Sequence, residues 1–234
     1  MVSIIGLYSY ANKFKYPSKP YSQSNKQRFG NKNTTQKPEE VQWVYTQPEL
    51  YNALSGNLND IPFFIKWSRK AKGPVLELGV GTGRIALPIA RDGIEIDGID
   101  NSEQMVNYLK DKAKTEKLNL NVFKQSITSY NTGKKYNLII ASNSIFGLCP
   151  DRKSVEKLLK QTKKHLKPDG ILIIAMNNPL TNVDRAKFSS PKATDFNYQG
   201  KKYKITPHVL YDASCQLATV NTAIHSKNKL LKAM

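Results

Sequence analysis

The sequence predicts an α/β fold: a doubly wound, mostly parallel sheet with a small antiparallel β appendage near its C-terminal end. Three observations lead there. Short apolar runs at 74–79, 94–100, 119–125, 136–142 and 170–177 alternate with amphipathic segments at 83–91, 102–116 and 151–166. That alternation implies right-handed crossovers and a parallel sheet. Three glycines, at 79, 81 and 83, sit at a strand-to-helix turn, and an acid, Asp100, closes the following strand. Residues 203–212 and 216–225 then read as a hairpin beyond the last crossover.

In chain order, residues 1–40 hold seven basic residues, no acid before Glu39, and many Ser, Asn, Gln and Pro, which predicts a mobile basic tail. Residues 41–72 hold two short helices, PELYNAL at 48–54 and IPFFIKWSRKA at 61–71, the second with Asp60 as N-cap. Phe63, Phe64 and Trp67 share a face that packs on the sheet. Residues 73–180 form the core. Pro88 lies inside its first helix and should cost a hydrogen bond or bend it. Ser102 caps the second helix, whose buried stripe is Met105, Val106, Leu109 and Ala113. The third buries Val155, Leu158, Leu159, Thr162 and Leu166, and stops at Lys167-Pro168-Asp169-Gly170. Residues 181–234 carry the hairpin.

The glycine spacing narrows the ligand. Glycines let the backbone approach a bound group, and the following helix offers unpaired N–H groups. A dinucleotide fingerprint reads G-x-G-x-x-G; here the third glycine comes one residue early and Arg84 takes its place. No G-x-x-x-x-G-K-[ST] occurs, so a P-loop is excluded. The pattern E-x-G-x-G-x-G, with Asp100 placed 21 residues after Gly79 to accept from a ribose diol, suits an adenosine-containing ligand.

Residues 75–105, VLELGVGTGRIALPIARDGIEIDGIDNSEQM, resemble motif I and the post-I acid of the class I, Rossmann-like S-adenosylmethionine-dependent methyltransferases. The resemblance extends over about 41–225 and implies a small-molecule type with a lid insertion. It implies S-adenosylmethionine as cofactor, S-adenosylhomocysteine as product, and methyl transfer to nitrogen or oxygen. Gly79, Val80, Gly81 and Gly83 would lie under the amino-acid and ribose portions. Asp100 would hold the ribose with Asn101 beside it, and Gln104 and Met105 would lie along the adenine. Glu77 would contact the cofactor or fix the glycine turn; Arg84 would pair with the cofactor carboxylate or an acid such as Glu77. After the third strand the family commonly has an acid for the adenine amino group, where this chain has Gln125, Ser126 and Ile127. Ser142 and Asn143 would line the methyl end, with Tyr51, or more weakly Tyr45, closing over it. No catalytic residue is assigned.

Composition bounds the rest. The formal charge is +18, which attracts polyanions, although lysines spread through every segment also simply solvate helix faces. Nucleic acid is therefore a partner to test, behind a small molecule. Cys149 and Cys215 show no metal spacing, so no metal is expected, and a cytoplasmic setting is the default. No run approaches a membrane span. His165 reads as structural, and His208 and His225 as surface or substrate-facing. The hairpin reads as the lid or as the family's last two strands. Under the lid reading the C-terminus is shortened, turnover is in question, and the last core strand offers an apolar edge for dimerisation.

Overall fold

The computed structural model describes residues 3–7, 43–55, 59–143, 145–149, 151–176, 193–212, 217–226 and 229–233. Six strands form one parallel sheet in the order β1-β6-β5-β2-β3-β4. They are β1 (Ser3–Leu7), β2 (Val75–Leu78), β3 (Ile96–Asp100), β4 (Leu120–Lys124), β5 (Tyr136–Ala141) and β6 (Leu166–Ala175). The order reverses between β2 and β5, which flank each other in register from Val75 opposite Leu138 to Leu78 opposite Ala141.

Helices cover both faces. The helices α1 (Pro48–Leu54), α2 (Ile61–Ala71), α3 (Ala86–Arg91), α4 (Glu103–Thr115) and α5 (Arg152–His165) all fall where the apolar spacing predicts them. Because strand side chains alternate, the sheet divides its residues between two cores. Val75, Ile96, Val122, Leu138 and Ile140 meet α2, α3 and α4 through Phe64, Ile89, Val106 and Leu109. Leu76, Leu78, Ile99, Ile139 and Leu172 meet Tyr130, Phe146 and Leu158 on the other face.

Local details follow from particular residues. Ser102 caps α4 by accepting from the Met105 N–H at 3.3 Å, and the buried residues of α4 are the predicted four. Pro88 has no N–H for the Arg84 carbonyl. The flanking bonds, Leu87 to Gly83 and Ile89 to Ile85, still form, so regular helix begins only at Ala86. In α5 the buried residues are Leu158, Thr162 and His165, while Leu159 is exposed. His165 turns inward because its ring packs on Tyr130, with centroids 4.5 Å apart. Lys167–Gly170 do not separate helix from strand; β6 begins at Leu166, and the turn residues bulge out between the Tyr136–Leu166 and Leu138–Ile171 pairs.

At the chain's beginning an expectation is corrected, and near its end the expected antiparallel appendage is present. Ser3–Leu7 are not tail: they pair in parallel with Ile171–Ala175, where an apolar SIIGL segment satisfies the open edge of β6. That edge, on which the dimer expectation rested, is covered. Residues 8–42 of the expected tail lie outside the described residues. The hairpin does not continue the parallel sheet. It belongs to a separate antiparallel sheet ordered β10-β9-β8-β7, built from β7 (Thr194–Tyr198), β8 (Lys201–Asp212), β9 (Leu217–Ser226) and β10 (Lys229–Ala233), with β7 packed on α1. Among the described residues no helix is long and apolar enough to cross a membrane.

At the amino end of the sheet Asp97 is fully buried. It accepts from Tyr136 Oη at 2.7 Å and Asn121 Nδ2 at 3.0 Å, and Lys134 Nζ lies 2.8 Å away. Burying a carboxylate is tolerable only with such partners. Tyr136→Phe removes one donor without changing shape, and urea unfolding should register a loss of about 1–3 kcal/mol; an unchanged midpoint would contradict this account of the network.

Candidate functional site

The cleft opens at the carboxyl ends of β2, β3, β4 and β5, beside the reversal of strand order, where open α/β sheets take their ligands. Its volume is about 610 Å³, the range of a small-molecule or cofactor site.

One wall begins at the turn after β2. Gly79 and Gly81 have φ of 65° and 53°, a conformation that favours glycine. A Cβ at Gly81 would meet nothing within 4 Å, so that backbone is open to the cleft. Thr82 Oγ1 donates to Asn52 Oδ1 at 2.6 Å, which ties α1 to the turn.

Asp100 closes β3 and faces this turn. Its Oδ2 accepts from the Gly81 N–H at 2.9 Å, and its Oδ1 from the Ser102 N–H at 2.8 Å. Burial pushes its pKa up, while the N–H groups of Ser102, Gly81 and Asn101 pull it down; the net shift is upward. Next to it Ser102 Oγ donates to the Tyr45 carbonyl at 2.7 Å, drawing in the 3-10 turn Trp43–Thr46. The rings of Tyr45 and Tyr51 lie 5.9 Å apart on that side. Burial, with Tyr51 and Asp100 nearby, raises the Tyr45 pKa.

The remaining walls come from the other strand ends. Asn101, Gln104, Met105, Ser126, Ile127 and Thr128 stand beyond Asp100, edged by the ion pair of Lys124 with Glu103 at 2.8 Å. Ser126 Oγ also receives the Thr128 N–H at 3.3 Å, as in a serine turn. Gln125 stays out of the cleft: its amide accepts from the Asn131 N–H and donates to the Asn131 carbonyl, closing the following loop. After β5, Ser142, Asn143, Ile145, Leu148 and Cys149 complete the enclosure.

Twelve of the predicted positions therefore meet in one cleft: Tyr45, Tyr51, Gly79, Gly81, Asp100, Asn101, Gln104, Met105, Ser126, Ile127, Ser142 and Asn143. Four others stand behind it. Val80 is buried against Gly98. Gly83 serves packing, since a Cβ there would come within 2.4 Å of Leu109 Cδ1. Arg84 makes a two-point ion pair with Asp60, at 2.5 and 3.0 Å, and its charge also acts on Glu77. That pairing also explains why Asp60 occupies the cap position of α2 without a side-chain capping bond. Glu77 is buried; Ser142 Oγ donates to its Oε1 at 3.3 Å, and its Oε2 has no hydrogen-bond partner among the described residues. His225 lies on β9, and the His208 position on β8, in the second sheet.

Sequence reasoning missed Thr46, Thr128, Ile145, Leu148, Cys149 and Ser154 in the cleft lining. Ile145 and Leu148 belong to the 3-10 turn Ile145–Leu148, which has no periodic signature. The one available signal was position, just past a strand end. Among the described residues, no cluster of His, Cys, Asp or Glu could hold a metal ion.

The sheet order, the glycine turn and the acid ending β3 define a Rossmann-like α/β fold, one that solved methyltransferase structures share. Residues 75–170 match the family model described as Methyltransferase domain. YqeM of Bacillus subtilis is 31% identical over 117 residues, 49% of this chain and 47% of that protein. The ubiquinone biosynthesis O-methyltransferase of Rickettsia akari is 27% identical over 108 residues, 46% of this chain and 41% of that protein. This chain thus spans about half the length of the curated relatives it matches. The CcbJ methyltransferase from Streptomyces caelestis superimposes with a TM-score of 0.62 at 21% identity, covering 77% of each chain.

Desolvation raises the Glu77 pKa from an ordinary 4.5 to about 8, against the opposing pull of Arg84 and Ser142. A carboxyl shifted upward on folding favours the folded state while protonated, below 4.5, and that contribution is lost as pH rises through about 8. Glu77→Gln should therefore flatten the decline of stability across this window, as read by urea unfolding at successive pH values. Parallel curves for wild type and variant would contradict the assignment.

Proposed function

We propose that the cleft holds S-adenosylmethionine and that the chain moves a methyl group to a nucleophilic nitrogen or oxygen of a small molecule, releasing S-adenosylhomocysteine. When bound, the cofactor supplies an electrophilic methyl group on a sulfonium. The single observation that carries the reading is Asp100. Its carboxylate ends β3 facing the cleft, and each oxygen spends one acceptor site on a backbone N–H, leaving lone pairs for a ribose diol.

The other residues fit the same ligand. The space before Gly81 admits the close approach of an amino-acid portion. Met105 and Ile127 give an adenine apolar surface, and Ser126 gives it a hydroxyl without the charge assistance of an acid. Tyr45 and Tyr51 offer π faces to a cation at the methyl end. Glu77, behind Ser142, is held as a support of the glycine turn. Methyl transfer needs alignment and desolvation of a lone pair more than a strong base. Ile145 and Leu148 supply an apolar wall for that purpose.

The 3-10 turn Trp43–Thr46 and α1 act as the cover of the cofactor site through Tyr45, Thr46 and Tyr51, and the second sheet, seated on α1 through β7, as a lid. A small acceptor is favoured by the Rickettsia relative, whose name is that of a ubiquinone biosynthesis enzyme. The cytoplasm is the proposed compartment, on the chain's two-cysteine composition.

Titration calorimetry with S-adenosylhomocysteine tests the reading. Wild type should bind, and Asp100→Ala should weaken binding by about 1–3 kcal/mol. No binding by folded wild-type protein would overturn it. Binding of RNA with a steep salt dependence would instead move the acceptor class toward nucleic acid.

A further inference from the structure

We infer that Arg84, acting through Asn143, fixes the direction of the Tyr51 hydroxyl, so that its proton points into the cleft as a donor to the carboxylate of the bound cofactor. The inference rests on the S-adenosylmethionine reading and gives one end of that site a polarity.

The contacts cross three separate elements. Arg84 follows the glycine turn, Asn143 follows β5, and Tyr51 belongs to α1. Arg84 Nη2 donates to Asn143 Oδ1 at 3.4 Å, and Asn143 Nδ2 donates to Tyr51 Oη at 3.4 Å. Both are long bonds of the kind that tighten around a ligand. Their direction is not free. A guanidinium has donors only and keeps its proton, so the amide oxygen must face Arg84. The amide N–H then faces Tyr51, whose oxygen must accept. A phenol that accepts on one side keeps its own hydrogen for another partner. Tyr51 lines the cleft, where a bound ligand can serve as that partner.

The relay is braced at both ends. Asp60 grips Arg84 at two points, and the Arg84 side chain is only 12% exposed. Asn143 has φ of 49°, a left-handed conformation that Asn tolerates better than most residues. A carboxylate is the acceptor such a donor serves best, since bonds to an ionised oxygen are roughly twice as strong as neutral ones. Arg84 and Asn143 are accordingly positioning residues, and Tyr51 is the group that touches ligand.

Asn143→Asp separates this from simple packing. It keeps an acceptor for Arg84 but exchanges the donor facing Tyr51 for an acceptor, which draws the phenol proton away from the ligand. Calorimetry with S-adenosylhomocysteine on wild type, Tyr51→Phe, Asn143→Asp and the double variant reads the outcome. Tyr51→Phe should weaken binding roughly tenfold or more, and Asn143→Asp at least as much. Tyr51→Phe should add nothing further in the Asn143→Asp background. The decarboxylated analogue of S-adenosylhomocysteine should bind wild type and Tyr51→Phe alike. Additive losses in the double variant, equal weakening of both probes by Tyr51→Phe, or no effect of Tyr51→Phe would overturn the inference while leaving the cofactor reading intact. Failure of wild type to bind S-adenosylhomocysteine would overturn both.

Discussion

The carboxylate of Asp100 is the joint on which the cleft depends. It accepts the Gly81 N–H with one oxygen and the Ser102 N–H with the other, joining the turn after β2 to the start of α4. Ser102 then does three things at once: it answers Asp100 through its N–H, caps α4, and binds the Tyr45 carbonyl. The glycine turn, the helix and the tyrosine wall are thereby referred to one half-buried carboxylate. Gly81 favours glycine for its φ of 53°, and the space where a Cβ would stand is open to the cleft.

Two acids on one strand show how environment assigns roles. Asp97, fully buried near the start of β3, is surrounded by Tyr136, Asn121 and Lys134, and so serves stability. Asp100, at the strand's other end, is held by backbone donors and keeps capacity toward the cleft. Glu77 is a third case: it is buried on β2, one oxygen has no hydrogen-bond partner among the described residues, and desolvation raises its pKa to about 8. Neutrality relieves most of the desolvation cost that an ionised, half-paired carboxylate would carry.

Periodic and local signals made much of this legible in the sequence. The stripe of α4 was readable because Met105, Val106, Leu109 and Ala113 follow helical spacing, and Asp100 because it closes an apolar run after a glycine turn. What escaped depends on contacts between residues far apart in the chain. Asp60 reads locally as a helix cap, but a guanidinium 24 residues later is a stronger partner than a backbone N–H. Gly83 reads as a ligand glycine until Leu109 is seen against it. Ser3–Leu7 lack a strand's neighbours in sequence, and only the open edge of β6 gives them a partner.

The central claim, that the Asp100 joint builds a cofactor site at this end of the sheet, is tested most directly by amide NMR during titration with S-adenosylhomocysteine. The account predicts saturable shifts of the Gly79, Gly81, Asn101 and Ser102 amides, with Asn121 and Lys134 at the opposite end unmoved. Saturable shifts centred on Asn121 and Lys134, or no shift at Gly81 and Ser102, would contradict it.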